Sequence, residues 1–457
     1  MMRFVQRAAR ATMLLSLMLF AAAQPAAAQQ ILRDSETELF LRDISKPLIE
    51  GAGLNPRHVQ IVMIQDDEIN AFVAQGQVVY IHSGLIEAAD NANQLEGVIA
   101  HELGHVAGGH AIRMNDGVKA ATGISVLSIL LGVAAAVAGA GEAALGVIAA
   151  GQQAAMGNFL SFTRAQEASA DEAGSKYLSA AGYSGKGSIE FFKKLQNQEF
   201  RLAIPQDNSY GRTHPLSGER IAALEQNYRK DPAWNRPTDP AIEMRFKRIK
   251  AKLLGYLDPR KATMAYPESD QSIPAHYARA YAYHRGAYPE KAAQEVKALI
   301  AAIPHDPFFL ELQGQTLLEG GDPKAAIAPL REAVARAPDQ PMIAVMLGHA
   351  LVASDDPKNI AEAKQVVKSA VNRDNDNPFA WYVLGVAYDR EGDAPRAALA
   401  SAERNNLQGN NKLALASARS AMAGLKPGTP DYLRAQDIAM VSDYELNKNK
   451  KKKKKAE

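Results

Sequence analysis

Two histidines four residues apart are the first sign of chemistry. In Val98-Ile99-Ala100-His101-Glu102-Leu103-Gly104-His105, a helix would set His101 and His105 on one face. Two imidazoles so placed can aim at one metal ion. The His-Glu-x-x-His order leaves Glu102 beside that ion as a base rather than a ligand. The chemistry that follows is hydrolysis, in which a zinc ion acidifies a water and a carboxylate takes its proton. Cysteine is absent, so there is no disulfide, no thiolate metal site and no cysteine nucleophile. Zinc held by histidine and carboxylate alone favours a catalytic over a structural site.

Such a site wants a third protein ligand and an open fourth position. Arg164-Ala165-Gln166-Glu167-Ala168-Ser169-Ala170-Asp171 offers Glu167 and Asp171 one helical turn apart. Glu167 can supply the ligand, and Asp171 can accept a hydrogen bond from the far nitrogen of a ligand histidine. By spacing alone the plainer reading is a pair of solvated acids, because Glu-x-x-x-Asp is common.

The elements that must position these residues form an α+β unit. Residues 36–52 read as a helix, and 60–64 and 77–82 as strands rich in Val, Ile and Tyr. Residues 91–114 read as the motif helix, weakened near its end by Gly108-Gly109, and 158–181 as the helix of Glu167. Between them, residues 120–155 carry one charge, Glu142. That stretch reads either as a buried or hinged helical hairpin or as a lid or membrane-touching segment, since an apolar run does not separate the two. The strand Gln77, Val78, Val79, Tyr80, Ile81, His82 is expected to pair with an extended substrate through backbone bonds.

At 457 residues the chain can bury two cores. Residues 1–28 read as a signal peptide: Arg3, Arg7 and Arg10, then an apolar run, then Ala26-Ala27-Ala28. Residues 29–230 form the expected domain of the metal motif and 231–271 a helical linker. Residues 272–445 repeat at a spacing near 34 residues, with Gly314 and Gly348 as anchors and Trp381, Leu384, Gly385, Tyr388 and Ala397 at tetratricopeptide offsets. An all-α solenoid of four stacked repeats is expected, capped by helices over 413–425 and 432–440. Residues 446–457 form a lysine-rich tail expected to be disordered. Aromatics are not interleaved with that basic run, so nucleic acid is not an expected partner.

The set His101, Glu102, His105, Glu167 and Asp171 resembles the zinc metallopeptidase family of the HtpX heat-shock protease and the CAAX prenyl proteases. Asn70-Ala71-Phe72 with Gly76 and Ser83-Gly84-Leu85 resemble that family's segment before the metal helix, and Thr213-His214-Pro215 with Arg220 a motif after it. The resemblance implies a mainly helical zincin-type fold with a small sheet, ligands His101, His105 and Glu167, and Glu102 as the base. It implies that His214 either occupies the water position on zinc, holding the enzyme quiet, or donates to the oxyanion. Arg220 would anchor its loop or pair with an acid. His82 and His110 fit supporting roles.

A signal peptide without cysteine points to the periplasm. The expected function is a zinc endopeptidase in quality control and assembly of outer-membrane proteins. The alternative is a largely latent peptidase working as a repeat-based chaperone or scaffold. By the resemblance the partners would be unfolded or misassembled outer-membrane proteins and their assembly machinery, held by the repeats. Membrane-surface contact would run through residues 120–155.

Overall fold

The structure is a computed structural model that describes residues 30–137, 141–202, 214 and 217–456. The leader expected over 1–28 lies outside these residues.

A small mixed sheet and the first helix wrap the motif helix. Strand β1 is Gln30–Ile31, β2 Gln60–Gln65, β3 Ala71–Ala74 and β4 Val78–His82. Their order is β1-β2-β4-β3, with β2 and β4 parallel and the other pairs antiparallel. Val79 and Ile81 alternate onto the buried face. Helix α1, Ser35–Gly51, buries Phe40, Ile44 and Leu48 at four-residue spacing against this core.

After α2 (Ser83–Ala88) comes α3, Ala92–Gly108, buried along almost its whole length. Asn91 caps it by accepting the N–H of Gln94. Its end corrects the expectation of one helix to Met114. Gly109 adopts a left-handed φ of 62° and closes α3, and a new helix, α4, starts at His110 and runs to Val137.

Helix α5, Gly141–Ala181, returns antiparallel along α4. The two form a helical hairpin, as one reading had it, but a largely exposed one. Leu130 is 62% exposed and Leu145 72%. The segment His110–Ala135 is long and apolar enough to cross a membrane, with 11% of its apolar window buried. Helices α6 (Lys186–Leu202) and α7 (Gly218–Tyr228) complete this half.

The expected linker is a packed joint. Helix α8, Pro240–Leu257, followed by α9, Pro259–Ala265, lies between α1 and α10, Ile273–Arg285. From α8, Arg248 pairs with Glu36 of α1 at 2.8 Å and with Asp306 of the repeats at 2.7 Å. Lys252 reaches Asp34 at 2.5 Å, and the Tyr277 hydroxyl donates to Glu36 at 2.7 Å. Burial pushes the carboxyl of neighbouring Glu311 up to about 8. Buried ion pairs of this kind add little net stability but fix which groups must face each other.

Helix pairs then stack into a solenoid: α11 Pro289–Ala302, α12 Pro307–Glu319, α13 Pro323–Arg336, α14 Pro341–Ala353, α15 Pro357–Arg373, α16 Pro378–Arg390 and α17 Ala394–Leu407. Most begin with proline at the first helical position. Asp306, Asp322, Asp356 and Asn377 cap four of them. A terminal pair follows, α18 Asn411–Gly424 and α19 Pro430–Ala456. Helix α19 corrects the expected disorder of the lysine tail. Lysine is a good helix former, and cations suit a helix C-terminus.

Candidate metal centre

Two helices bring the chemistry together. Helix α3 carries His101, Glu102 and His105, and α5 carries Glu167 and Asp171. They approach closely because of Gly104: a Cβ there would lie 2.5 Å from the carbonyl oxygen of Ala170. Any larger residue would push Glu167 away from the histidines.

The donor atoms form a tight set. The Nε2 atoms of His101 and His105 are 3.2 Å apart. Glu167 oxygens lie 3.4 Å from the first and 3.3 Å from the second. Bonds of about 2.0–2.1 Å in a tetrahedron put donors about 3.3 Å apart, so three corners match a zinc ion. His214 brings the fourth. Its Nδ1 lies 3.3 Å from His101 Nε2 and 3.0 Å from Glu167 Oε1. His101, His105, Glu167 and His214 are all buried. Of the motif around His214, Thr213 and Pro215 lie outside the described residues.

Glu102 is fully buried, and neither carboxylate oxygen has a hydrogen-bond partner. A buried, unpaired carboxylate is costly. A water beside a cation would satisfy it, so the residues present fit a metal ion. His214 Nε2 lies 3.6 Å from Glu102 Oε1.

A surrounding layer orients these groups. Asp171 lies 3.0 Å from His101 Nδ1, where it holds the Nε2 of that ring toward the centre. Arg220 grips both acids: Nη2 donates to Asp171 at 2.8 Å, Nε also reaches Asp171, and Nη1 lies 3.0 Å from Glu167. His110 Nδ1 sits 3.0 Å from His105 Nδ1. Phe192 walls the site, its ring edge-on to His101. No sequence signal marked Phe192.

Burial lowers the basicity of His101, but its ring N–H groups facing the Asp171 and Glu167 carboxylates carry it up to about 9. Burial and repulsion by His105 push His110 down to about 4. Burial opposes the charge on Glu167, yet the three histidines hold it well below the usual carboxylate range.

The strand expected to take substrate is corrected. Val78–His82 is central, paired with β2 on one side and β3 on the other, so neither edge is open. Gln77 already accepts from Gln60, and His82 is buried. On the β3 side the sheet's edge strand is β3 itself, Ala71–Ala74, a strand too short for its sequence to signal.

Comparison with known proteins agrees with the motifs. Residues 8–228 match the model of peptidase family M48. The chain is 29% identical over 294 residues to the beta-barrel assembly-enhancing protease of Escherichia coli (strain K12), covering 62% of this chain and 58% of that one. It is 30% identical over 181 residues to the metalloprotease YcaL of the same organism, covering 39% and 65%. The chain thus spans less than two thirds of these relatives. Among solved structures it is similar to YrrB, titled a TPR protein with an unusual peptide-binding site, at a TM-score of 0.32 and 19% identity. That match covers 38% of this chain and 91% of that one.

Proposed function

We propose, on the premise of the match of residues 8–228 to peptidase family M48, that the chain is a zinc-dependent endopeptidase of the periplasm. One observation carries the reading: three donors at tetrahedral spacing beside a buried carboxylate with no hydrogen-bond partner. His101, His105 and Glu167 would hold the ion, with Asp171 and Arg220 fixing their orientation. When bound, zinc acidifies a water and polarises the scissile carbonyl. Glu102 takes the proton of the attacking water and passes it to the departing amine. An extended client would pair with the edge of β3, through backbone bonds that demand little of its side chains. The relatives named for β-barrel assembly suggest outer-membrane proteins as clients and their assembly machinery as partner, with the repeats holding them. The experiment is hydrolysis of an unfolded protein by the full chain. Chelation should abolish cleavage and stoichiometric zinc restore it; cleavage that persists in chelator would overturn the reading.

The placement of His214 favours a second state of the same enzyme, latent while its imidazole fills the fourth corner. In that state the repeats alone would act, as a chaperone or scaffold.

The exposed hairpin favours contact with a membrane surface. Its apolar arms satisfy their own backbone, as lipid requires, and Arg113, Lys119 and Arg164 stand exposed near their base. Vesicles of anionic phospholipid should carry the chain upward in a density gradient. The exposed-site variant Leu130→Asp/Leu145→Asp should stay at the bottom. Equal flotation of both would count against the hairpin.

A further inference from the structure

Away from the metal centre, a second group of ligand-type side chains converges where β2 and β4 end. Asp66 and Glu68 lie on the turn after β2, and His82 is the last residue of β4. Their donor atoms lie within 4.8 Å of one another. His82 is 1% exposed, and neither ring nitrogen has a hydrogen-bond partner. Its Nδ1 points at Asp66 Oδ1 from 3.7 Å, too far for a hydrogen bond. Phe72 packs edge-on against the same ring and closes its apolar side. A buried imidazole left unmet in this way needs an explanation.

The turn that presents the carboxylates is held rigidly. Ser83 Oγ accepts the N–H of Asp66 and donates to its carbonyl oxygen, and Gly84 N–H donates to that same oxygen. Asp66 Oδ1 also accepts the N–H of Glu68. A Cβ at Gly84 would meet the carbonyl oxygen of Asp67 at 2.2 Å, so the turn sits directly on the first turn of α2. Beside it, Asp67, Glu87, Asp258 and Lys261 line an acidic cleft.

We propose that Asp66, Glu68 and His82 form a second divalent-cation site, separate from the His101 centre. One imidazole with two carboxylates is a borderline donor set, which suits zinc better than calcium or magnesium. Asp66 is half-buried, Glu68 exposed and His82 buried, with donor atoms already close enough to share one ion. The bound ion ties the turn that leads into β3 to the end of β4. It therefore fixes the edge strand beside the metal helix, a structural role that the catalytic centre does not fill.

The test counts zinc on the full chain by mass spectrometry, after loading with excess zinc chloride and desalting. Wild type should hold about two ions, and Asp66→Ala/Glu68→Ala about one. His101→Ala/His105→Ala should also hold about one, and the four-fold variant about none. Asp66→Ala/Glu68→Ala holding as much zinc as wild type would overturn the second site. So would a wild type that holds a single ion lost in His101→Ala/His105→Ala. Zinc insensitive to His101→Ala/His105→Ala but lost in the other pair would instead strike the catalytic reading and leave this one standing. Should the double variant misfold by circular dichroism, Glu68→Gln at its exposed position decides. It should weaken one of the two zinc sites about tenfold or more, and unchanged affinity at both overturns the proposal.

Discussion

Glutamine at position 102 will leave zinc content unchanged and lower kcat/KM by about 10²–10⁴. Glu102 lies fully buried between two ligand histidines on α3, yet makes no hydrogen bond of its own. A carboxylate this buried, with no hydrogen bond of its own, would be poised to receive a proton from water placed beside the metal. Glutamine preserves its volume and cannot receive that proton. Binding of an unfolded client should survive, so the loss should fall on kcat rather than KM. Zinc analysis of the same sample separates this result from simple loss of the ion. Full activity with full zinc would eliminate Glu102 as the base.

Removing the imidazole of His214 should have the opposite effect. Its Nδ1 stands at the fourth corner of the ligand set, and its Nε2 faces Glu102. One ring thus covers both the position an attacking water needs and the base that would deprotonate it. Where the uncovered form holds about 1–10% of molecules, His214→Ala raises kcat/KM roughly ten- to a hundred-fold. The oxyanion role predicts the reverse, a loss of about 10²–10³ in kcat. Rates of wild type and variant at equal zinc occupancy decide between the two, and no rise would reject the latch.

The metal residues were legible because helical period converts spacing into direction. His101 and His105, then Glu167 and Asp171, are each one turn apart, and both pairs lie on regular helices. That the two helices touch at Gly104 and Ala170 depends on tertiary packing, which no local pattern carries. Strand β3 was missed because four residues give too few alternations to register. Without β3 in view, nothing in the sequence shows that β4 is already paired on both sides. The hairpin shows a different limit. Its composition is equally apolar whether buried or exposed, and only its surroundings separate the two. The joint at Arg248 and Lys252 had the same difficulty: a short helix between proline-bearing loops gives no hint that its cations are buried.

That joint sets a reach. A flexible tether would let a segment captured on the repeats search a wide volume, with an effective concentration at the zinc that changes only slowly with tether length. Here α8 is clamped to α1 on one side and to the repeats on the other through Glu36, Arg248 and Asp306. The solenoid then behaves as a ruler. On the proposed function, a client held at a given repeat would present to the metal centre only a stretch of chain at a set distance from its anchor. Stretches nearer or farther would then go uncut.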